Sequence, residues 1–324
     1  MEFELWNQIC NQLNLGTIKE PPRPLKGGFL HRVYSLFTAK GRYAVKLLNP
    51  YVMQRETAMD NFRRAEELET LLTQHGLPIL PALSFRGKKL QEINGQFFYL
   101  FDWFEGRSLK REEIKESHCC RIGTLLAQIH EIDKREQHVA HNELHIDWDY
   151  YIEQLACSNQ DLSALLKRNR SLLYESQERG NAALKTLPPV ITICHNDMDC
   201  KNVLWNGDDC RIIDLECLAY SNPFLELYEM ALCWSGYEDC NIDCQRLKAF
   251  IQSYSDAGGE LPTDWETLHD GNYGRLEWLE YNVKRSLGRN CSVQEQSIGI
   301  SEVQNTMALI VYYYKERNHI LNCI

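Results

Sequence analysis

Long apolar runs are missing from this chain of 324 residues. No stretch approaches the roughly 20 consecutive apolar residues of a membrane-spanning helix, so a membrane role is not expected. Internal repeats and low-complexity tracts are absent, which sets aside solenoids and fibrous proteins. No Walker A sequence occurs, which argues against a P-loop nucleotide site. No Cys-x-x-Cys pair occurs either, although the chain has 13 cysteines. That number is odd, and Met1 to Asn14 reads as an amphipathic helix and not as a signal peptide. A cytoplasmic protein with reduced, mostly buried thiols is therefore expected. Cys194, Cys200, Cys210 and Cys217 crowd around His195, but their spacings match no common zinc-ligand pattern, and Cys240 with Cys244 is no better.

What is present is ordinary globular composition, 44% hydrophobic and 25% charged, long enough for two lobes or one large domain. The net charge of −10 is unevenly spread. Residues 1–104 hold 13 Lys and Arg against 10 Asp and Glu, a net of +3, which leaves 22 against 35, a net of −13, for the rest. An acidic larger part argues against a nucleic-acid groove and permits a cationic small-molecule partner.

The opening hundred residues carry strand signals. Residues 24–49 read as strand, glycine turn, strand, strand, with a hairpin turn at Thr38 to Gly41. A helix is expected from Met53 to His75, then a hairpin around Asn94-Gly95 that includes Phe97 to Phe101. After Gly106 the spacing turns helical, first over Glu116 to Ile132, then over Asp149 to Leu155 and Asp161 to Leu184. A strand at Val190 to Cys194 and a hairpin over Val203 to Leu215 interrupt it, and further helices follow from Pro223. This is an α+β plan in two lobes: a β-rich N-lobe over 1–101, a hinge at 102–106 and a mostly helical C-lobe over 107–324.

The segment from His195 to Glu216 carries the chemistry. His195-Asn196-Asp197 is followed by Asn202, then by a turn and Ile212-Ile213-Asp214. Phosphoryl transfer is mostly positioning and charge neutralisation. Asp197 is placed to accept a proton from a hydroxyl nucleophile. Asn202 and Asp214 supply the oxygen donors that suit Mg²⁺. His195 reads as a structural hydrogen-bonder.

Four further features complete the candidate site. Gly27-Gly28, in a strand-turn-strand setting, allows the backbone to fold closely over phosphates, although a plain hairpin turn would look the same. Lys46, among apolar strand residues, stands where a kinase lysine grips the α- and β-phosphates; its bland alternative is an edge-strand solubility lysine. Glu66, four positions after Phe62 on one helix face, is chosen as its orienting carboxylate, with Glu67 and Glu69 as fallbacks. At the hinge, the Asp102 carbonyl and the Phe104 N–H are expected to pair with adenine, although an ordinary interdomain turn would look the same.

These residues resemble the aminoglycoside phosphotransferase and choline kinase superfamily, the small-molecule branch of the protein-kinase-like fold. The resemblance rests on Gly27-Gly28, Lys46, Asp102 to Gly106, Leu125, Ala127, Ile129 and His130, His195 to Trp205, and Ile212 to Glu216 with Asn222-Pro223, across roughly residues 24–235. It implies ATP- or GTP-dependent, Mg²⁺-assisted transfer to a hydroxyl of a small molecule, with Asp197 as base, Asn202 and Asp214 as metal ligands and Lys46 paired with Glu66. Two positions depart from the pattern. Asn196 stands where family members often have Gly. Asp199 stands where they often have His and where protein kinases have Lys, and its negative charge hints at a cationic or polyhydroxylated acceptor. Glu216, Glu226, Glu238, Asp239, Glu277 and Glu280, with Trp234, Tyr237, Tyr273, Trp278 and Tyr281, are candidate acceptor contacts, although helical spacing suits core packing better for several.

The expected activity is therefore a small-molecule O-phosphotransferase. An aminoglycoside-like compound and a metabolite alcohol (choline, homoserine, thiamine or a sugar) are both open as acceptor. A catalytically silent nucleotide-binding protein is the reading from another class. The protein is expected to be a monomer or homodimer, with neither nucleic acid nor membrane as partner.

Overall fold

The computed structural model describes residues 2–25, 31–137, 143–289 and 291–324. They fall into two compact units, 1–113 with 195–219, and 114–194 with 220–324. The segment 195–219, which the sequence places in the helical remainder, thus packs with the first unit.

The first unit is built on a five-stranded antiparallel sheet, in the order Ile18–Pro24, Arg32–Thr38, Gly41–Leu47, Gln96–Asp102, Gln91–Ile93. Its first strand begins earlier than residue 24 because Pro21, Pro22 and Pro24 hide it from strand propensity. A proline-rich strand is tolerated at an edge, where missing N–H groups leave no gap in the ladder. Alternation along the central strand sends side chains to opposite faces. Val45 and Leu47 share a core with Trp6, Ile9, Phe98 and Leu100. Lys46 belongs to the opposite set, directly across from Tyr99. There Tyr99 packs with Phe62 and Ala58 of the helix Ala58–Gln74. That helix starts later than Met53, because Asn49 caps a separate short turn at Pro50–Met53.

The segment 195–219 contributes the hairpin Val203–Asn206 and Asp209–Ile212, joined by Arg107–Ser108 in a three-stranded sheet. The Gly207 turn has φ +60°, where glycine carries no side-chain penalty. Ile212 bonds with residues 78–80 through Ile212 N–H to Pro78 O and Leu80 N–H to Ile212 O. These bonds anchor the strand that runs into Asp214.

The second unit is mostly helical, with the strand Val190–Cys194 paired to Arg135–Glu136. The helix expected over Asp161 to Leu184 divides into Gln160–Arg168 and Arg170–Leu184, and the Asn169 side chain donates to Leu165 O at the break. Helices Glu116–His130 and Cys244–Asp256 approach so closely that a Cβ on Gly123 would lie 2.3 Å from Phe250 O. A separate core gathers Trp148, Leu155, Leu166, Leu279 and Met307.

The expectation of reduced, mostly buried thiols needs correction. Cys244 and Cys323 are joined in a disulfide, because the start of Cys244–Asp256 meets the end of Arg317–Asn322 at a Cα separation of 5.0 Å. Of the 11 free cysteines only four, Cys10, Cys119, Cys194 and Cys210, are fully buried.

His269 is 3% exposed, stacks on Tyr313 with ring centroids 3.9 Å apart, and its Nδ1 shares a hydrogen bond with the Tyr228 hydroxyl at 2.7 Å. Burial, reinforced by Arg275, Arg317 and Arg179, pushes it down to about 3 from 6.5. The unfolded chain therefore takes up a proton below about pH 6.5 that the folded chain refuses, so stability is lost as pH falls from there towards 3. His269 alone is expected to cost about 2 kcal/mol between about pH 7 and about pH 5. Urea unfolding at both pH values should show a shallower pH dependence for His269→Gln; an equal slope in both proteins would overturn this account.

Candidate active site

The central strand explains Lys46. Gly41–Leu47 lies between two other strands, so the edge-strand alternative fails. Its side chain is 10% exposed, and an ammonium buried to that degree requires anions. It finds two, the carboxylates of Asp214 and Glu216. Burial alone would lower the lysine pKa, but these two carboxylates outweigh it and raise it. Glu216 also accepts from His31 Nε2 at 3.0 Å. The tautomer follows from the other side of the ring, where His31 Nδ1 accepts from Asn49 N–H at 2.9 Å. Burial opposes ionisation of Glu216, yet His31 and Lys46 together hold it well below the usual carboxylate range.

The expected Lys46–Glu66 pair is not the one the structure makes. Glu66 faces inward as its spacing requires, but its Oε1 accepts from the Tyr99 hydroxyl at 2.8 Å and from Leu90 N–H at 3.2 Å. Tyr99 is the cross-strand neighbour of Lys46, so its hydroxyl uses the carboxylate that the lysine would have met. The fallback Glu69 is buried against Ala82 N–H at 3.0 Å and Lys89 at 2.8 Å, and Glu67 is exposed.

Around Asp197 the loop is held by its own side chains. His195 is fully buried; its Nε2 donates to Ile213 O at 3.1 Å while Nδ1 accepts from Asp197 N–H at 3.3 Å. It is the structural hydrogen-bonder expected. Asn202 uses its amide nitrogen twice, to Asp197 O at 2.7 Å and to Asp197 Oδ2 at 2.9 Å. Its Oδ1 accepts from no other described residue and remains a free oxygen donor. The Asn202 carbonyl accepts from Ile213 N–H at 2.9 Å, so the two metal-ligand candidates sit on directly bonded segments. Asp214 has φ +64° and ψ 50°, a left-handed conformation that few residue types beyond glycine, asparagine and aspartate adopt. An amide oxygen and a carboxylate on such segments are hard donors that fit Mg²⁺.

Both departures from the family pattern have local causes. Asn196 adopts φ +62°, and its side chain donates to Cys217 O at 2.9 Å. Asparagine is among the residues that best replace glycine there. Asp199 is buried and holds Lys201, accepting from its backbone N–H at 2.9 Å and from Nζ at 2.6 Å. Its charge is answered inside the loop, so it carries no argument for a cationic acceptor. Lys201 Nζ also lies 3.2 Å from Asp197 Oδ1. Sequence inspection passed over Lys201 because a lysine beside a turn looks like a solvated one; its spacing of four from Asp197 was the available signal. Burial raises the Asp197 pKa, with Asp199 adding to it and Lys201 opposing, which strengthens this carboxylate as a base.

Gly27 and Gly28 lie outside the described residues. Asp102 ends the strand Gln96–Asp102 opposite Tyr43. The Phe104 carbonyl accepts from Gly106 N–H at 2.9 Å, and the Phe104 N–H donates to no other described residue. Among the acceptor candidates, Glu226 is buried on His130 at 2.8 Å and Trp234 is fully buried, so both are core groups. Trp278 stacks on Tyr281 at 5.4 Å, and Glu280 accepts from the Tyr151 hydroxyl at 2.6 Å. Among the described residues, the His, Cys and acidic groups close enough to share a metal ion are His130 with Cys194 and Glu226, and Cys244 with His319 and Cys323, of which the two sulfurs are already bonded to each other. The four cysteines around His195 do not form such a group.

These contacts rank the carboxylates around Lys46. Glu216→Gln removes a charge from both Lys46 and His31 and should lower stability by about 1–3 kcal/mol. Glu66→Gln keeps an acceptor for Tyr99 and should cost under about 1 kcal/mol. Denaturant midpoints of the two variants check the order, and the reverse order would overturn it.

Several known proteins share this architecture. A spectinomycin phosphotransferase, solved with ADP and spectinomycin, superposes with a TM-score of 0.71 at 15% identity over 95% of this chain and 98% of that one. An amicoumacin kinase, solved with AMP-PNP and Ca²⁺, gives 0.62 at 13% identity over 95% of each chain. An ethanolamine kinase from Plasmodium vivax gives 0.58 at 17% over 91% of this chain and 83% of that one. In sequence, human ethanolamine kinase 1 is 23% identical over 175 residues, which is 49% of this chain and 39% of that protein. The mouse enzyme is 24% identical over 49% of this chain and 48% of its own length, so the chain matches about half or less of these curated relatives. The model of the phosphotransferase enzyme family matches residues 22–269, and the chain belongs to that family.

Proposed function

We propose that this protein transfers the γ-phosphoryl group of ATP or GTP to a hydroxyl of a small molecule. The observation that carries this reading is the set of bonds that gathers Lys46, Asp197, Asn202 and Asp214 in one unit. Asp197, its carboxylate oriented by Asn202 and Lys201, takes the proton of the attacking hydroxyl. Lys46 meets the α- and β-phosphates, and Glu216 with His31 keeps the ammonium charged and aimed. Asn202 Oδ1 and Asp214 would hold Mg²⁺, which neutralises phosphate charge when bound. Asp102 and Phe104 offer backbone groups for the nucleotide base, the Phe104 N–H donating to no other described residue. Gly27 and Gly28, outside the described residues, have the residue type that would let the backbone fold closely over the phosphates.

For the acceptor we propose a hydroxylated amine. The second part of the sequence is acidic, and the proteins this chain resembles bear the names of amine-containing acceptors, spectinomycin and ethanolamine. An aminoglycoside-like compound and a small amino alcohol both fit that class. Among the described residues no helix is long and apolar enough to cross a membrane. A cytoplasmic location, where nucleoside triphosphates are at hand, suits the reading, as does a monomer or homodimer with no nucleic-acid partner.

Purified protein with ATP and Mg²⁺ should release ADP when one of a panel of hydroxylated amines is present. Asp197→Ala should slow this by about 10²–10⁴-fold, and chelation of Mg²⁺ should abolish it. Equal ADP release by wild type and Asp197→Ala would overturn the proposal.

A further inference from the structure

We propose that Lys201 is a catalytic residue that binds the γ-phosphoryl oxygens beside Asp197. The proposal rests on the phosphotransferase reading above. The starting point is a charge problem. Asp197 and Asp199 bring two carboxylates to the place where the phosphoryl group would be transferred, so a cation is needed there. Lys46 cannot fill that place, because it is committed to Asp214 and Glu216 and, in the reaction, to the α- and β-phosphates.

Lys201 supplies that cation from two positions further along the chain. Asp199 grips it at both ends, through its backbone N–H at 2.9 Å and Nζ at 2.6 Å. The second contact of Nζ is Asp197 Oδ1 at 3.2 Å. The other oxygen, Asp197 Oδ2, is occupied by Asn202. Oδ1 is therefore the oxygen left to receive a hydroxyl proton, and the ammonium stands next to it. The Lys201 side chain is 40% exposed, so incoming phosphate oxygens can reach it without breaking the packing of the loop. Asp199 is a positioning residue in this arrangement, since it acts by steering Lys201.

The transfer balances without any further group. The acceptor oxygen forms a bond to the γ-phosphorus, and the bond from that phosphorus to the β–γ bridging oxygen breaks. ADP leaves with the bonding electron pair. The acceptor proton passes to Asp197 Oδ1. Lys201 keeps its own proton and neutralises the equatorial oxygens, where charge is spread in the transition state.

A structural role, in which Lys201 only separates two carboxylates, makes a different prediction for nucleotide binding. A γ-phosphate contact discriminates between triphosphate and diphosphate, whereas loop support does not. Calorimetric titration of the protein with Mg²⁺–AMP-PNP and with Mg²⁺–ADP reads the difference. Lys201→Met should weaken AMP-PNP by about tenfold or more and leave ADP within about twofold. Lys201→Arg, which keeps the charge, should retain most of the preference for AMP-PNP. Lys46→Met should weaken both nucleotides. Wild-type protein that binds neither nucleotide would overturn the phosphotransferase reading and the Lys201 assignment with it. Wild-type protein that binds both, with Lys201→Met weakening them equally or not at all, would overturn the Lys201 assignment alone. Should Lys201→Met fail to fold by thermal melting, a Lys201→Arg variant that loses discrimination between the nucleotides would overturn it equally.

Discussion

A lysine ammonium in the middle of a buried sheet cannot stand without anions, and that requirement organises the first unit. Lys46 occupies the central strand, where alternation directs it to the face of Tyr99 and Phe62. The charge is compensated from a segment nearly 170 residues away, by Asp214 and Glu216. Removing an ion from water costs several kcal/mol, which good geometry and further hydrogen bonds must offset. His31 supplies one such bond, fixing Glu216 from the far side. The cluster thus couples the sheet to the loop that carries the metal-ligand candidates.

The loop itself is stiffened by a second set of contacts. His195, fully buried, ties the residue after the strand Val190–Cys194 to the backbone just before Asp214. Asn202 spends its amide nitrogen on Asp197, and among the described residues its oxygen accepts from none. Two residues, Asn196 and Asp214, sit in the left-handed region, a local cost that the surrounding bonds hold in place. Such preorganisation is what phosphoryl transfer demands, since the protein contributes position and charge more than covalent chemistry.

Much of this was legible in the sequence. The alternation of Arg42 to Leu48 and the aromatic run Phe97 to Phe101 located two neighbouring strands, because local patterning sets which face each side chain takes. The order His195, Asp197, Asn202, Asp214 located the loop and hairpin, because short turns leave little freedom between those positions. The edge strand Ile18–Pro24 was missed, since three prolines contradict strand propensity and only its edge position excuses them. The disulfide Cys244–Cys323 was invisible too, because nothing local brings residues 79 apart together.

Charge partners were the hardest to foresee. Glu66 had the right face and the right distance from Phe62, yet Tyr99 took its carboxylate. Asp199 looked like a free negative charge, and Lys201 answers it. By itself the sequence determined the elements, the chemistry-bearing residue types and their order, because these depend on neighbours a few positions apart. Only the tertiary structure decided which carboxylate meets which cation, because ion pairing depends on where distant segments pack.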